Sequence, residues 1–126
     1  MKKLAGIVVA GLFSSIVAAD INPNWTIARV WDEETLAAIR LSTPRPPVHA
    51  RNLYHMSSAV YDGWATYDPV ARGRFFFEKH TAKDIEAARH ETISFAAYRI
   101  LKNRFVAGNG PNIVQINANI DATFAA

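Results

Sequence analysis

Apolar residues recur along this chain three and four positions apart, the spacing of helices with one buried face. The recurrence breaks at points rich in proline and glycine. The first such stretch predicts a helix from Asp32, with Asp32 as N-cap and Glu33 and Glu34 facing the positive end of the helix dipole. Leu36, Ala37 and Ile39 continue it. Thr43-Pro44-Arg45-Pro46-Pro47 stops it, since proline donates no N–H and drives its predecessor out of the helical conformation. A second helix is expected from about Pro47 to Tyr67, closed by Asp68-Pro69. Leu53, Met56, Val60, Trp64 and Tyr67 fall on one arc of it and read as core. Arg51, His55, Ser58 and Asp62 form a polar stripe on the other side.

Pro69 to His80 reads as a loop. Its Phe75-Phe76-Phe77 cannot all face one way in a regular element, so an extended piece over the bundle, or a surface covered by other structure, is expected. A third helix opens at Thr81-Ala82-Lys83-Asp84, close to a capping box, and ends near Phe105, with Ile85, Ala88, Thr92, Phe95, Ala96 and Ile100 as its apolar face. After the Gly108-Asn109-Gly110-Pro111 turn, Ile113, Ile116, Ile120 and Phe124 mark a fourth helix. This stripe runs to Ala126 without a stop signal and reads as the start of something longer. The expectation is an all-α protein: a partial bundle of three to four antiparallel helices over 32–126, preceded by an irregular lead-in over 20–31.

Residues 1–19 fit none of these elements. Lys2 and Lys3 precede a largely apolar run from Leu4 to Ala18, and Val17-Ala18-Ala19 places small residues where a signal peptidase reads. The run is shorter than the ~20 residues that span a bilayer, so a cleaved signal peptide, export to the periplasm or medium, and no lasting membrane anchor are expected. Removing it changes the charge picture: two of the 14 basic residues lie in it, leaving 12 against 11 acidic ones. No basic stripe interleaved with aromatics remains, which gives nucleic-acid binding no support. Half the residues are hydrophobic, enough for a folded core, and no cysteine is present to staple it or to act as nucleophile or metal ligand.

The order Leu36-Ala37-Ala38-Ile39-Arg40, Thr43-Pro44-Arg45-Pro46-Pro47-Val48-His49-Ala50-Arg51-Asn52-Leu53 and Ala59-Val60-Tyr61-Asp62-Gly63-Trp64-Ala65-Thr66-Tyr67-Asp68-Pro69 resembles the N-terminal helical region of bacterial vanadium-dependent haloperoxidase-like proteins. Ala87 to Leu101 is similar to the helix that follows there. Gly63 stands where that pattern usually has alanine. The resemblance implies an all-helical bundle shared with type-2 phosphatidic acid phosphatases and bacterial acid phosphatases. It also implies a vanadate or phosphate site built from later motifs: a Lys followed by Arg-Pro, a Pro-Ser-Gly-His, and a Ser-Arg with a following His. A highly charged oxyanion needs several converging cationic donors and a histidine. None of these motifs occurs here. Arg45-Pro46 is the sole Arg-Pro, and Ala38 sits where the lysine would be wanted. No catalytic, cofactor-binding or metal-ligating residue is therefore assigned. Vanadate is expected only in a complete parent protein, whose C-terminal catalytic bundle, or a second copy of this chain, would be the partner.

The residues with chemistry to offer have plainer explanations. His55 and Asp62 are two turns apart, roughly 10 Å along a helix, so Arg51, His55, Ser58 and Asp62 read as a polar face rather than an acid–base site. His49 and Arg51 lie near a helix N-terminus, where anions can bind, yet contact with other structure explains them better. Glu78, His80, Asp84 and His90 lack metal-ligand spacing. Trp25, Trp31, Trp64, Tyr54 and Tyr61 read as core before they read as a ligand pocket. The rival to a structural segment of a larger enzyme is a free-standing periplasmic helical binding module.

Overall fold

The computed structural model describes residues 21–126; the expected signal peptide over 1–19 lies outside the described residues. Four helices follow in order: α1 (Ile27–Leu41), α2 (Pro46–Ala65), α3 (Ile85–Leu101) and α4 (Ile113–Ala125). A π-helical turn (Lys102–Val106) extends α3. The described residues contain no strand, so the chain is all-α as expected. None of their helices is long and apolar enough to cross a membrane.

α1 starts five residues before Asp32, within the stretch expected to be irregular. Its cap is Thr26, whose hydroxyl accepts from the Arg29 N–H at 3.3 Å. The early start puts Val30 and Trp31 on a buried helical face, and that burial outweighs the local preference for starting at an acidic cluster. The Pro-rich turn ends α1 as predicted, and Pro46 and Pro47 form the first turn of α2. Asp84 caps α3, accepting from the Ala87 N–H at 3.0 Å. Asn112 precedes α4 in the left-handed conformation (φ 55°), which asparagine tolerates, and donates its side-chain N–H to the Leu41 carbonyl at 2.8 Å.

The core gathers Trp31 and Ala38 from α1, Met56 from α2, Ile93, Ala97 and Leu101 from α3, Phe105 from the π turn, and Ile116 and Ile120 from α4. Two buried faces differ from the expected ones. On α3 the centre of the face is the four-residue ladder Ile93, Ala97, Leu101, Phe105, while Phe95 is 54% exposed. On α2, Leu53 and Trp64 are over a third exposed, and the buried residues are Asn52, Met56, Ser58, Asp62, Gly63 and Ala65. The reason is the closeness of α2 and α3, the most extensive helix pair. A Cβ added to Gly63 would stand 3.3 Å from the Ile93 side chain and 3.4 Å from its backbone. Only small residues allow that approach, so the bulky residues of α2 are turned outward. The α4 stripe behaves as predicted, with Ile116 and Ile120 fully buried.

Glu34 lies inside this core at 2% exposure. One carboxylate oxygen accepts from the Thr123 hydroxyl at 3.1 Å; the other has no partner. Burial raises its pKa above the ordinary glutamate value, against a smaller lowering by the Thr123 hydrogen bond. The folded state thus holds the proton more tightly than the unfolded chain. Its contribution to stability is intact below the unfolded pKa of ~4.3 and is lost as pH rises through the folded value. Glu34→Gln, which imitates the neutral acid, is expected to raise stability at neutral pH by on the order of 1 kcal/mol. The gain should vanish near pH ~4. Thermal melts of both proteins across pH 4 to 8 check this, and a gain that grows in acid contradicts it.

Candidate functional site

The polar stripe of α2 splits into separate roles. Asp62, 7% exposed, turns toward the loop after α2. Its carboxylate accepts from three consecutive backbone N–H groups: Arg74, Phe75 (2.9 Å) and Phe76 (3.1 Å). Such a run of N–H donors is an anion nest, and here the protein supplies its own anion. Lys79 completes the loop from the other side. Its ammonium donates to the carbonyls of Ala65 (2.7 Å), Asp68 (2.8 Å) and Ala71, covering the carbonyl end of α2. Polar anchors thus hold the loop, which leaves Phe75, Phe76 and Phe77 exposed, as expected of a surface left for other structure.

His55 and Arg51 do not join Asp62. The Nδ1 atom of His55 accepts from the Arg104 guanidinium at 2.7 Å, and Arg51 is exposed. The aromatics also disperse. Trp31 is core and donates to the Ser94 hydroxyl at 3.1 Å, Tyr61 and Trp64 pair on the surface at 6.0 Å, and Tyr54 meets the edge of Phe75 at 6.3 Å. His80 faces Glu78 at 3.7 Å, and no group of three or more His, Asp or Glu among the described residues could hold a metal ion.

One arrangement was not foreseen. A cleft of about 320 Å³ opens where the α1–α2 turn, the start of α2, the π turn and the Gly108–Pro111 turn meet. Arg45, Val48, His49, Asn52, Arg104 and Phe105 line it, and no carboxylate does. A π turn holds five residues where an α-helix repeats after 3.6. It brings Phe105 into the core and Arg104 to the cleft, where His55 orients the guanidinium. His49 stacks on Phe105 with rings 6.4 Å apart and 7° from parallel. The backbone of α2 contributes no free donors: Pro46 and Pro47 have no N–H, and those of Val48 and His49 bond the Arg45 carbonyl.

Asn52 is 4% exposed and lines the cleft, yet its carboxamide makes none of the side-chain hydrogen bonds of the described residues. A buried amide left unmatched costs about 1–3 kcal/mol. By contrast, a second hollow of about 480 Å³ under Phe76 is lined by Asp62 and Thr66, which are already bonded. The sequence marked His49, but it gave no sign that Asn52 would be buried or that Arg104, 49 residues after His55, would join it.

The cleft does not suit vanadate coordination or attack on phosphorus, both of which need a histidine nitrogen. The Nε2–H of His49 donates to the Thr43 carbonyl at 3.0 Å, and its Nδ1 is buried without a partner. The arrangement can bind but offers no nucleophile. Compared with known proteins, the chain matches no family model, no curated protein and no solved structure.

Proposed function

We propose that this chain is the N-terminal structural portion of an exported enzyme of the vanadium-haloperoxidase-like or phosphatase-like kind, without catalysis of its own. Its role is to pack against a helical catalytic bundle. The observation that carries this reading is the outward face of α2. Leu53, Tyr54, Tyr61 and Trp64 are each more than a third exposed, and Phe75 lies against Tyr54. Single exposed apolar residues are ordinary, but a contiguous aromatic surface marks an interaction face. The resemblance of residues 36–69 to that family supplies the kind of partner.

Two measurements test it. The coding region should continue after Ala126 into a Pro-Ser-Gly-His context; an immediate stop codon would count against the parent enzyme. The chain alone should self-associate through the uncovered face, and the double variant Leu53→Ser, Trp64→Ser should shift sedimentation toward monomer. Bromide oxidation by the chain alone with vanadate and peroxide would sink the structural role. The second reading, a free-standing binding module, is favoured by the unmatched Asn52 in the cleft.

A further inference from the structure

We propose that the cleft between the α1–α2 turn and the π turn is a non-covalent binding site for a small organic oxyanion: a phosphate, sulfonate or carboxylate group on an apolar body. The site stands on residues of this chain alone and does not depend on the structural role proposed above. Three observations converge on it. Arg45 and Arg104 both line the cleft and no acidic residue shares it, so its charge is uncompensated from within. Guanidinium groups present forked N–H pairs that match the oxygens of such anions. Arg104 is held by the His55 Nδ1 atom at 2.7 Å, which reduces its freedom before any ligand arrives. Asn52 is the independent sign: a side chain 96% buried by its 4% exposure, lining the cleft with its hydrogen-bonding capacity unused. Its N–H groups suit an oxyanion's remaining oxygen.

The other wall explains why a bare ion would use only part of the space. Val48, Phe105 and Ile116 give the cleft an apolar side, and about 320 Å³ exceeds what one tetrahedral anion fills. A ligand with an aromatic or short aliphatic body would cover these residues while its charged end meets the arginines. Binding there involves no bond making, because His49 has no nitrogen free for it.

The test is titration of the whole purified chain with phenyl phosphate, benzoate and inorganic phosphate, followed by calorimetry and by NMR of the Asn52 side-chain amide. Saturable binding of phenyl phosphate or benzoate is expected, tighter than that of inorganic phosphate, with a shifted Asn52 amide resonance. Arg104→Gln and Asn52→Leu should each weaken binding about tenfold or more, the range for a lost hydrogen bond to a charged group. Arg45→Gln should do the same. Arg45 and Arg104 are exposed, so those variants keep the fold even if Asn52→Leu does not. The absence of saturable binding for all three probes at millimolar concentration would overturn the site. So would affinities that survive both arginine substitutions, and equal affinity for phenyl phosphate and inorganic phosphate would overturn the apolar contribution.

Discussion

Asp62→Asn is expected to loosen the segment after α2 and to lower stability by about 3 kcal/mol. The carboxylate is nearly buried and is the common acceptor for the Arg74, Phe75 and Phe76 N–H groups. An asparagine keeps one accepting oxygen and turns an NH2 group toward donors that have nothing else to bond. Gly73 adds to the sensitivity: a Cβ there would overlap the Phe76 carbonyl oxygen, so the backbone cannot tighten without moving the nest. Urea unfolding should show the lowered midpoint. Limited trypsin digestion of the native protein should show faster cutting at Arg72, Arg74 and Lys79. An unchanged midpoint together with unchanged cleavage would mean that the loop is held by its aromatic residues instead.

Trp31→Ala should cost about 4 kcal/mol, a large part of the 5–15 kcal/mol typical of a small domain. The indole is completely buried, bonds Ser94 of α3 and lies 6.5 Å from the Phe124 ring of α4. Its removal leaves a cavity where α1 meets two other helices. Trp31→Phe separates the contributions, since it keeps most of the volume and loses the hydrogen bond, for about 1 kcal/mol. Denaturant midpoints of the two variants decide it. Equal effects would show that the hydrogen bond, not the filled volume, fixes α1.

What the amino-acid pattern revealed was whatever depends on near neighbours. The proline run after Thr43, the Asp84 cap and the Gly108–Pro111 turn act on adjacent backbone, and the helix ends fall close to where they were expected. The α4 stripe was legible because α4 packs with its most apolar side inward. The buried sides of α2 and α3 were not, because periodicity reports which side is apolar and not what lies against it. Gly63, Ala97 and Ile93 let those helices approach closely, which a reading that ranks large apolar residues highest cannot anticipate. Thr26 was a weaker local signal than Asp32-Glu33-Glu34, and only the burial of Trp31 explains the earlier start. Asp62 looked like one of four polar residues on a face. Its partners are backbone groups 12 to 14 positions on, which no side-chain pattern displays.

The π turn at Lys102–Val106 carries an evolutionary consequence. It accommodates one more residue than a regular helix would over the same span, so a homologue one residue shorter there would wind straight through as an ordinary α-helix. That single deletion would rotate everything beyond it by about 100° and move the counterpart of Arg104 away from His55. An alignment gap at this point would therefore divide descendants that keep the guanidinium in place from those that have lost it.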